Sequence, residues 1–237
     1  MSLSTQRLDH FLAKQCQISK GKVRLLLAQK RVCVDGTVNC SIEQSVNKFS
    51  KISLDGTVLQ DNPAYYVMLH KPVGVVCATK DKQHSTVIDL LPFDFKNQLH
   101  IVGRLDLNTS GLVLLTNDSR WSEAITQPEQ KIEKTYQVTL EKPIDNSYID
   151  GFKQGMYFKY ENITTQPADL TIINQHCAQV ILTEGKYHQI KRMFGRYRNP
   201  VVGLHRSQIG DLTLDNSLTP GQSRHLTEHE VALFNKV

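Results

Sequence analysis

The chain has 237 residues, of which 40% are apolar, and its formal net charge is +5. This length allows one large domain or a small domain joined to a medium one, with enough apolar residues for a sizeable core. No apolar run reaches the roughly 18 residues of a membrane span, and residues 1–10 lack the apolar core of a signal peptide. We therefore expect a cytoplasmic protein with no membrane partner.

Cysteine and histidine spacing argues against a disulfide framework or a metal site. The chain has five cysteines and no Cys-x-x-Cys: Cys16, Cys33, Cys40, Cys77 and Cys177. An odd number without paired spacing favours reduced, inert thiols. His225 and His229 are four residues apart, but no further ligands follow at a workable spacing. Walker and Gly-x-Gly-x-x-Gly motifs are absent as well, so we expect neither a metal nor a cofactor.

Positive charge is concentrated in two stretches of the chain. Residues 1–59 contain nine Lys/Arg and four Asp/Glu, so they carry the whole net charge, whereas residues 60–237 contain equal numbers of each sign. Within that neutral part, residues 186–206 contain six Lys/Arg and no Asp/Glu. This asymmetry indicates contact with an acidic polymer, although a merely solvated basic surface remains an alternative.

The first 60 residues predict a small module of two helices followed by short strands. Ser4 or Thr5 is placed to cap the first helix and Ser19 the second. The apolar faces of the two helices consist of Leu8, Phe11, Leu12, Val23, Leu26 and Leu27. Asp35-Gly36 and Asp55-Gly56 each follow a short apolar run and are typical of type I′ hairpin turns.

After a linker at residues 61–64, the pattern predicts an α+β domain over residues 65–237. Strands are predicted at residues 65–70, 75–78, 112–115, 131–140, 168–173 and 178–183. Helices are predicted at residues 85–91, 145–153 and 187–194, around Trp121, and at the capping box Thr227-x-x-Glu230. Few long helices separate the strands, which favours a mixed, mainly antiparallel sheet over a doubly wound one.

One segment combines charged residues with a turn immediately before a buried strand. Gly103-Arg104-Leu105-Asp106 precedes the apolar run at residues 112–115. A rigid sheet positions the loops at its strand ends, so a carboxylate and a guanidinium two residues apart are well placed there for chemistry. No second catalytic carboxylate is marked beside Asp106, so a hydrolase with a carboxylate pair is not indicated.

Three motifs of the N-terminal module occur together: Arg7-Leu8-Asp9, Ser19-Lys20 with Arg24, and Arg31-Val32-x-Val34-Asp35-Gly36. In this arrangement the module resembles the S4 RNA-binding family. The resemblance implies an S4-like domain over residues 1–60 that presents basic side chains to folded RNA. The RNA-binding residues of this domain are predicted to be Arg7, Ser19, Lys20, Lys22, Arg24 and Arg31.

Four motifs follow in the C-terminal domain: Lys71-Pro72-x-Gly74, Gly103-Arg104-Leu105-Asp106-x-x-Thr109-x-Gly111-Leu112, Glu133-Lys134-Thr135-Tyr136 and Glu184-Gly185-x-Tyr187-His188-Gln189-Ile190-Lys191-Arg192-Met193. Together with the S4-like module they resemble the pseudouridine synthases, specifically the branch that modifies small-subunit ribosomal RNA. The resemblance covers essentially the whole chain. It implies an α+β catalytic domain, a monomeric enzyme without a cofactor, and ribosomal RNA as the partner, either free or in an assembling particle.

The resemblance also implies roles for individual residues. Asp106 takes the position of the family's essential aspartate, which acts on the ribose of the target uridine, and Lys191 that of its basic partner. Tyr136 would stack on the flipped uracil, and Arg104 would help to hold the extruded base. Arg192, in the second basic stretch, would contact RNA. Plain core packing remains an alternative for Tyr136.

The chemistry of pseudouridine formation agrees with these residue types. The C1′–N1 bond breaks, the base rotates and C5 bonds to C1′, without redox change or group transfer. A carboxylate near C1′ serves either as a nucleophile there or as a base at C2′, and the sequence does not choose between them. The resemblance implies uridine 516 of 16S rRNA, the family's site, as the target. A 23S rRNA target and a non-catalytic RNA-binding assembly factor remain alternatives.

Overall fold

The computed structural model describes residues 5–38 and 41–234, and its chain divides into two units. The N-terminal unit consists of Met1–Ala64 with Asp118–Arg120, and the C-terminal unit of Tyr65–Asn117 with Trp121–Val237. Ser4 and Cys40, named above, lie outside the described residues. Each unit has its own hydrophobic core. No helix among the described residues is long and apolar enough to cross a bilayer.

The N-terminal unit contains two helices and six short strands in its described part. They are β1 (Gln6–Arg7), α1 (Leu8–Gln15), α2 (Lys20–Ala28), β2 (Val32–Val34), β3 (Thr37–Val38), β4 (Ser45–Val46), β5 (Ile52–Leu54) and β6 (Thr57–Gln60). Four strands form a sheet in the order β3-β2-β5-β6, and β1 pairs with β4. The predicted helix faces meet the sheet in a core around Leu8, Leu12 and Leu27.

Caps and turns in this unit follow local side-chain chemistry. The Ser19 hydroxyl accepts a backbone N–H and caps α2, as predicted. The N-cap of α1 is Arg7, not Ser4 or Thr5, and its side chain makes no capping hydrogen bond. The aspartates of both Asp-Gly turns have φ of +50° and +51°, and the glycines have φ of +80°, which confirms the two type I′ turns.

The C-terminal unit is built on a nine-stranded sheet. The strands of this unit are β7 (Tyr66–Lys71), β8 (His100–Val102), β9 (Ser110–Thr116), β10 (Lys134–Leu140), β11 (Tyr157–Phe158), β12 (Ile163–Thr164), β13 (Asp169–Asn174), β14 (Cys177–Leu182), β15 (Val201–Ile209), β16 (Leu212–Thr213) and β17 (Ser223–His225). The sheet order is β13-β14-β10-β15-β9-β7-β17, with β16 beside β15 and β8 beside β9, while β11 and β12 pair separately. Pairing is antiparallel except between β9 and β15. This arrangement confirms the predicted α+β class.

Helices cover both faces of the sheet: α3 (Ser119–Thr126), α4 (Ser147–Gln154), α5 (Gln189–Gly195) and α6 (Glu228–Ala232). Alternate residues of β7 and β9 enter different clusters, so each face has its own core. Helices α4 and α5 contribute Phe152 and Phe194 to the larger one. Trp121 packs in the smaller one, and the predicted capping box of Thr227 and Glu230 opens α6.

Two predicted elements before the charged segment are wrong. Residues 75–78 form no strand and make a single bridge, between Val76 and Thr86. Residues 85–91 form a turn instead of a helix. The Asp89 carboxylate accepts hydrogen bonds from the Thr86 backbone N–H at 2.8 Å and from the Thr86 hydroxyl at 2.9 Å. These side-chain bonds replace the backbone bonds that a helix would require.

Candidate active site

The loop between β8 and β9 carries Asp106 and is closed by backbone hydrogen bonds. The Asp106 carbonyl accepts the Thr109 N–H at 3.0 Å, which forms a turn just before β9. The Leu107 carbonyl accepts the Gly74 N–H at 2.9 Å, so the loop is also attached to the segment that follows β7. The Leu105 N–H donates to the Cys77 thiol at 3.3 Å. The backbone around Asp106 is therefore held from both ends.

A fully buried lysine holds the same loop from beneath. Lys71 ends β7, and its ammonium donates to four backbone carbonyls: Pro72 at 3.0 Å, Asp106 at 3.1 Å, Leu107 at 3.4 Å and Thr109 at 2.7 Å. Burial lowers the pKa of Lys71, because an interior site disfavours the charged form. Three of its acceptors lie within residues 106–109, so this side chain fixes the path of the catalytic loop.

The start of β9 approaches β15 more closely than any side chain would allow. Gly111 has φ of +114°, and a Cβ atom there would lie 2.2 Å from the Arg206 carbonyl oxygen. The buried Arg206 side chain donates from Nε to the Leu112 carbonyl at 2.9 Å, and its Nη2 has no partner among the described residues. This close contact fixes β9, and with it the end of the Asp106 loop.

The Asp106 carboxylate faces the His188 imidazole and the Lys191 ammonium from the start of α5. His188 Nε2 lies 3.4 Å from one carboxylate oxygen and Lys191 Nζ lies 3.9 Å from the other. His188 precedes the helix in a left-handed conformation, with φ of +48°. Neither distance is that of a strong hydrogen bond, so the carboxylate oxygens remain available while positive charge lies beside them.

These groups line an open pocket with an empty volume of about 480 Å³, which includes solvent at its mouth. Its lining includes charged side chains, two aromatic rings (Tyr136 and His188) and four aliphatic side chains: Arg104, Leu105, Asp106, Tyr136, Leu182, Lys186, His188, Ile190, Lys191 and Leu204. Tyr136 is only 8% exposed and lies on β10, between β14 and β15. A planar aromatic wall, a carboxylate and several cations are thus combined in one concave site.

The structure brings together four of the predicted site residues and leaves others apart. Arg104, Asp106, Tyr136 and Lys191 all line the pocket. Arg192 does not line it, because its guanidinium lies over the Phe158 ring and donates to Glu161.

The predicted RNA-binding residues of the N-terminal unit divide into two groups. Arg7 binds Asp9 through two hydrogen bonds of 3.1 Å, and Arg31 pairs with Asp55. Ser19 serves as the cap of α2. By contrast, the exposed side chains of α2 make no hydrogen bond or ion pair within the described part of the chain: Lys20, Lys22 and Arg24. Those three cations are therefore the ones free to meet an external anion.

Sequence reasoning assigned no role to Lys71, His188 or Arg206. Lys71 and His188 do lie within quoted motifs, but a lysine at the end of an apolar strand gives no sign that it is buried. Arg206 belongs to a basic stretch whose charge predicts a solvent-exposed surface. Among residues 5–38 and 41–234, no group of three or more His, Cys, Asp or Glu side chains is arranged to hold a metal ion.

The sequence matches the family model for RNA pseudouridylate synthase over residues 65–195. The chain belongs to this family. Among its relatives is the ribosomal small subunit pseudouridine synthase A of Pseudomonas aeruginosa, 47% identical over 226 residues, which cover 95% of this chain and 98% of the relative. The enzyme of the same name from Escherichia coli is 42% identical over 95% of this chain and 98% of its own length.

A solved structure described as a pseudouridylate synthase supports the same assignment. It superposes with a TM-score of 0.70 at 37% identity, and the match covers 96% of this chain and 99% of that chain. The predicted family is confirmed, and this pseudouridine synthase is an RNA-modifying isomerase. The motifs that carry the resemblance include most of the residues that line the pocket.

Proposed function

We propose that this pseudouridine synthase acts on small-subunit ribosomal RNA and isomerises uridine 516 of 16S rRNA. The support is the set of relatives named ribosomal small subunit pseudouridine synthase A, which are 40% to 47% identical over at least 95% of this chain. Their similarity extends through the N-terminal unit as well as the pocket. A shared RNA target is the simplest reason for both parts to be retained together.

The observation that carries the proposed chemistry is the Asp106 carboxylate, held on a fixed backbone at the wall of the pocket. Breaking the C1′–N1 bond sends its electron pair to the uracil, which leaves as an anion. Asp106 either attacks C1′ or removes the C2′ proton, and both roles need carboxylate oxygens without strong hydrogen bonds. C5 of the rotated uracil then bonds to C1′; this displaces the Asp106 carboxylate if it had attacked C1′, or is accompanied by return of the proton to C2′ if Asp106 had removed it. The C5 proton is then lost, and N1 gains one.

The cations of the pocket are proposed to take part in this reaction. Lys191 lies 3.9 Å from the carboxylate, and Arg104 lines the same cavity. A fixed positive charge stabilises an anion more strongly in a water-poor site than in bulk solvent. We propose that Lys191 and Arg104 stabilise the uracil anion while it rotates.

Tyr136 supplies the surface on which the extruded base would rest. Taking a base out of an RNA stack costs a few kcal/mol. Stacking on an aromatic ring recovers about 1–3 kcal/mol. Because Tyr136 is 8% exposed and lines the pocket, its ring is both held rigidly and accessible from that side. We propose that the uracil lies against this ring.

The exposed cations of α2 are proposed to bind the RNA around the target. Lys20, Lys22 and Arg24 lie on the outward side of this helix, while Val23 and Leu27 are buried in the core. Basic side chains without intramolecular partners neutralise phosphates most effectively. The S4-like unit would thereby supply affinity, and the pocket would supply the chemistry.

The test is tritium release from 5-tritiated uridine in a 16S rRNA fragment. Asp106→Asn should reduce release by at least about 10³-fold, because the amide is neither a nucleophile nor a base. The backbone contacts of Lys71 are unaffected, so the variant should melt like the parent protein. Asp94→Asn, at an exposed position outside the pocket, is the control and should be fully active.

Unchanged release by Asp106→Asn would refute the assignment of this residue. Mapping pseudouridine in both ribosomal RNAs of a deletion strain identifies the target. Loss of the modification from 23S rRNA instead of 16S rRNA would show that the enzyme acts on large-subunit ribosomal RNA. A purified protein that binds RNA but never releases tritium would be an assembly factor.

A further inference from the structure

A second aromatic side chain stacks on a residue that lines the pocket and is open to solvent. Tyr187 is 72% exposed, an unusual state for a large aromatic side chain. Its ring stacks on the His188 imidazole, with centroids 3.9 Å apart and planes 17° apart. One face of the phenol is therefore covered by His188, and the exposed area leaves the ring accessible from the other side.

The stack of Tyr187 on His188 extends from the Asp106 carboxylate to the solvent. His188 lines the pocket, and its Nε2 lies 3.4 Å from the Asp106 carboxylate. A left-handed backbone such as that of His188 is unfavourable for an L-residue. The fold retains this conformation at the residue that lines the pocket and carries the Tyr187 ring on its imidazole.

The surroundings favour a nucleotide over an apolar partner. Residues 186–206 contain six Lys/Arg and no Asp/Glu. Of these, Lys191 lines the pocket and points to the carboxylate. Unstacked bases in folded RNA are bound by aromatic side chains, while cations hold the backbone beside them.

We propose that Tyr187 receives, on its open face, the base of a nucleotide adjacent to the flipped uridine. This inference rests on the proposed function. When the uridine leaves the RNA stack, its neighbours lose one stacking partner each, and Tyr187 replaces that partner for one of them. The arrangement extends recognition beyond the target base to the nucleotide beside it.

Tyr160 provides a matched control on the same unit. It is even more exposed than Tyr187, and unlike Tyr187 it stacks on no other ring within residues 5–38 and 41–234. If any exposed tyrosine contributed to RNA affinity, the two positions would be equivalent. The proposal requires that they differ.

The experiment compares Tyr187→Ala, Tyr187→Phe and Tyr160→Ala on two RNA hairpins. One hairpin is intact, and the other carries abasic nucleotides on both sides of the target uridine. We expect Tyr187→Ala to weaken the affinity for the intact hairpin by about 5- to 150-fold, the range for loss of one base–aromatic stack. Tyr187→Phe and Tyr160→Ala should bind like the parent protein. On the abasic hairpin all four proteins should bind equally.

Affinity is measured by fluorescence anisotropy without turnover, so the result is independent of tritium release. A parent protein that releases no tritium would remove the proposed function while leaving this comparison intact. Equal affinity of Tyr187→Ala and the parent for the intact hairpin overturns the inference. So does a difference that persists on the abasic hairpin, because it cannot then arise from stacking on a neighbouring base. Thermal melting of each variant verifies that the fold is retained.

Discussion

Two lysines approach Asp106 from different sides and contact different parts of it. Lys71 is fully buried and donates to the Asp106 backbone carbonyl at 3.1 Å and to three further carbonyls. The Lys191 side chain is 27% exposed, and its ammonium lies 3.9 Å from the Asp106 carboxylate. One cation is bound to the chain that carries the reactive group, and the other lies beside the reactive group itself.

The two lysines therefore act differently: Lys71 positions the loop, and Lys191 places positive charge beside the carboxylate. Short hydrogen bonds to carbonyls define where the loop lies, and they leave Lys71 no capacity to contact substrate. The longer approach of Lys191 leaves the carboxylate oxygens available to react. A reactive side chain is most effective when its backbone is rigid and its own atoms are not committed to structural bonds. Substitutions of the two lysines should therefore have distinct signatures.

Lys71→Met is expected to have the largest effect. It removes the ammonium from four backbone carbonyls: those of Asp106 and Leu107 keep the Thr109 and Gly74 N–H groups, whereas those of Pro72 and Thr109 lose this donor. An acceptor left unsatisfied in the interior costs roughly 1–3 kcal/mol before relaxation. We expect a destabilisation of about 3 kcal/mol, a fall in Tm of roughly 6–12 °C. Tritium release should fall about 10²-fold, because displacement of a catalytic group by about 1 Å has an effect of this size. Calorimetry and release assays measure the two quantities.

Lys134→Met is the matched control for the buried lysine. Lys134 is also partly buried in the same sheet, and burial lowers its pKa, but its ammonium donates to a single carbonyl, that of Ile132, at 2.8 Å. Its replacement should lower Tm by clearly less than Lys71→Met does. Equal melting temperatures for the two variants would contradict the positioning role, since burial alone would then explain the effect.

Lys191→Met should impair the reaction while the fold is preserved. Its ammonium is separated from the carboxylate by 3.9 Å, so little stability depends on this pair. Loss of the charge beside a developing anion should slow single-turnover release about 10- to 100-fold at saturating RNA. Lys191→Arg should recover most of the rate.

The control for this position is Lys186→Met, in the same pocket. Lys186 is already held by the Thr164 carbonyl at 2.8 Å and by Glu184 at 3.2 Å, so its charge is partly neutralised. We expect a smaller loss of rate than for Lys191→Met. A Lys191→Met variant with the parent rate at saturating RNA would show that this charge does not act on the reaction.

The contrast between the two lysines also shows how far the sequence could be used for prediction. The motifs identified the family and four residues that line one pocket, because those side chains belong to contiguous motifs. The role of Lys71 was not predictable, since its partners are backbone carbonyls and any residue types could supply them. The helix expected at residues 85–91 is wrong because Thr86 and Asp89 form a side-chain-closed turn. Pairing between residues distant in the sequence was not predictable either: Arg31, which was predicted to bind RNA, pairs with Asp55, 24 residues away.

The basic side chains of α2 form a third group of cations. Their replacement should have the smallest effect on the reaction rate. Lys20, Lys22 and Arg24 contact neither a carbonyl nor a carboxylate among the described residues. Replacing all three by Gln should leave Tm and the rate at saturating RNA unchanged. Affinity should fall about ten-fold at moderate salt, and the slope of log K against log salt should flatten by about 2 as three phosphate contacts are lost.

Lys51→Gln tests whether pairing decides which basic residues of the N-terminal unit bind RNA. Lys51 is exposed on the same unit, but its ammonium lies 2.7 Å from Asp61, which raises the pKa of Lys51. A cation already neutralised within the fold releases few counterions when RNA binds, so this variant should keep the parent salt slope. If Lys51→Gln flattens the slope as much per charge as the α2 variant, local pairing does not select the RNA-binding cations. An unchanged slope in the α2 variant would show that the basic helix is only a solvated surface.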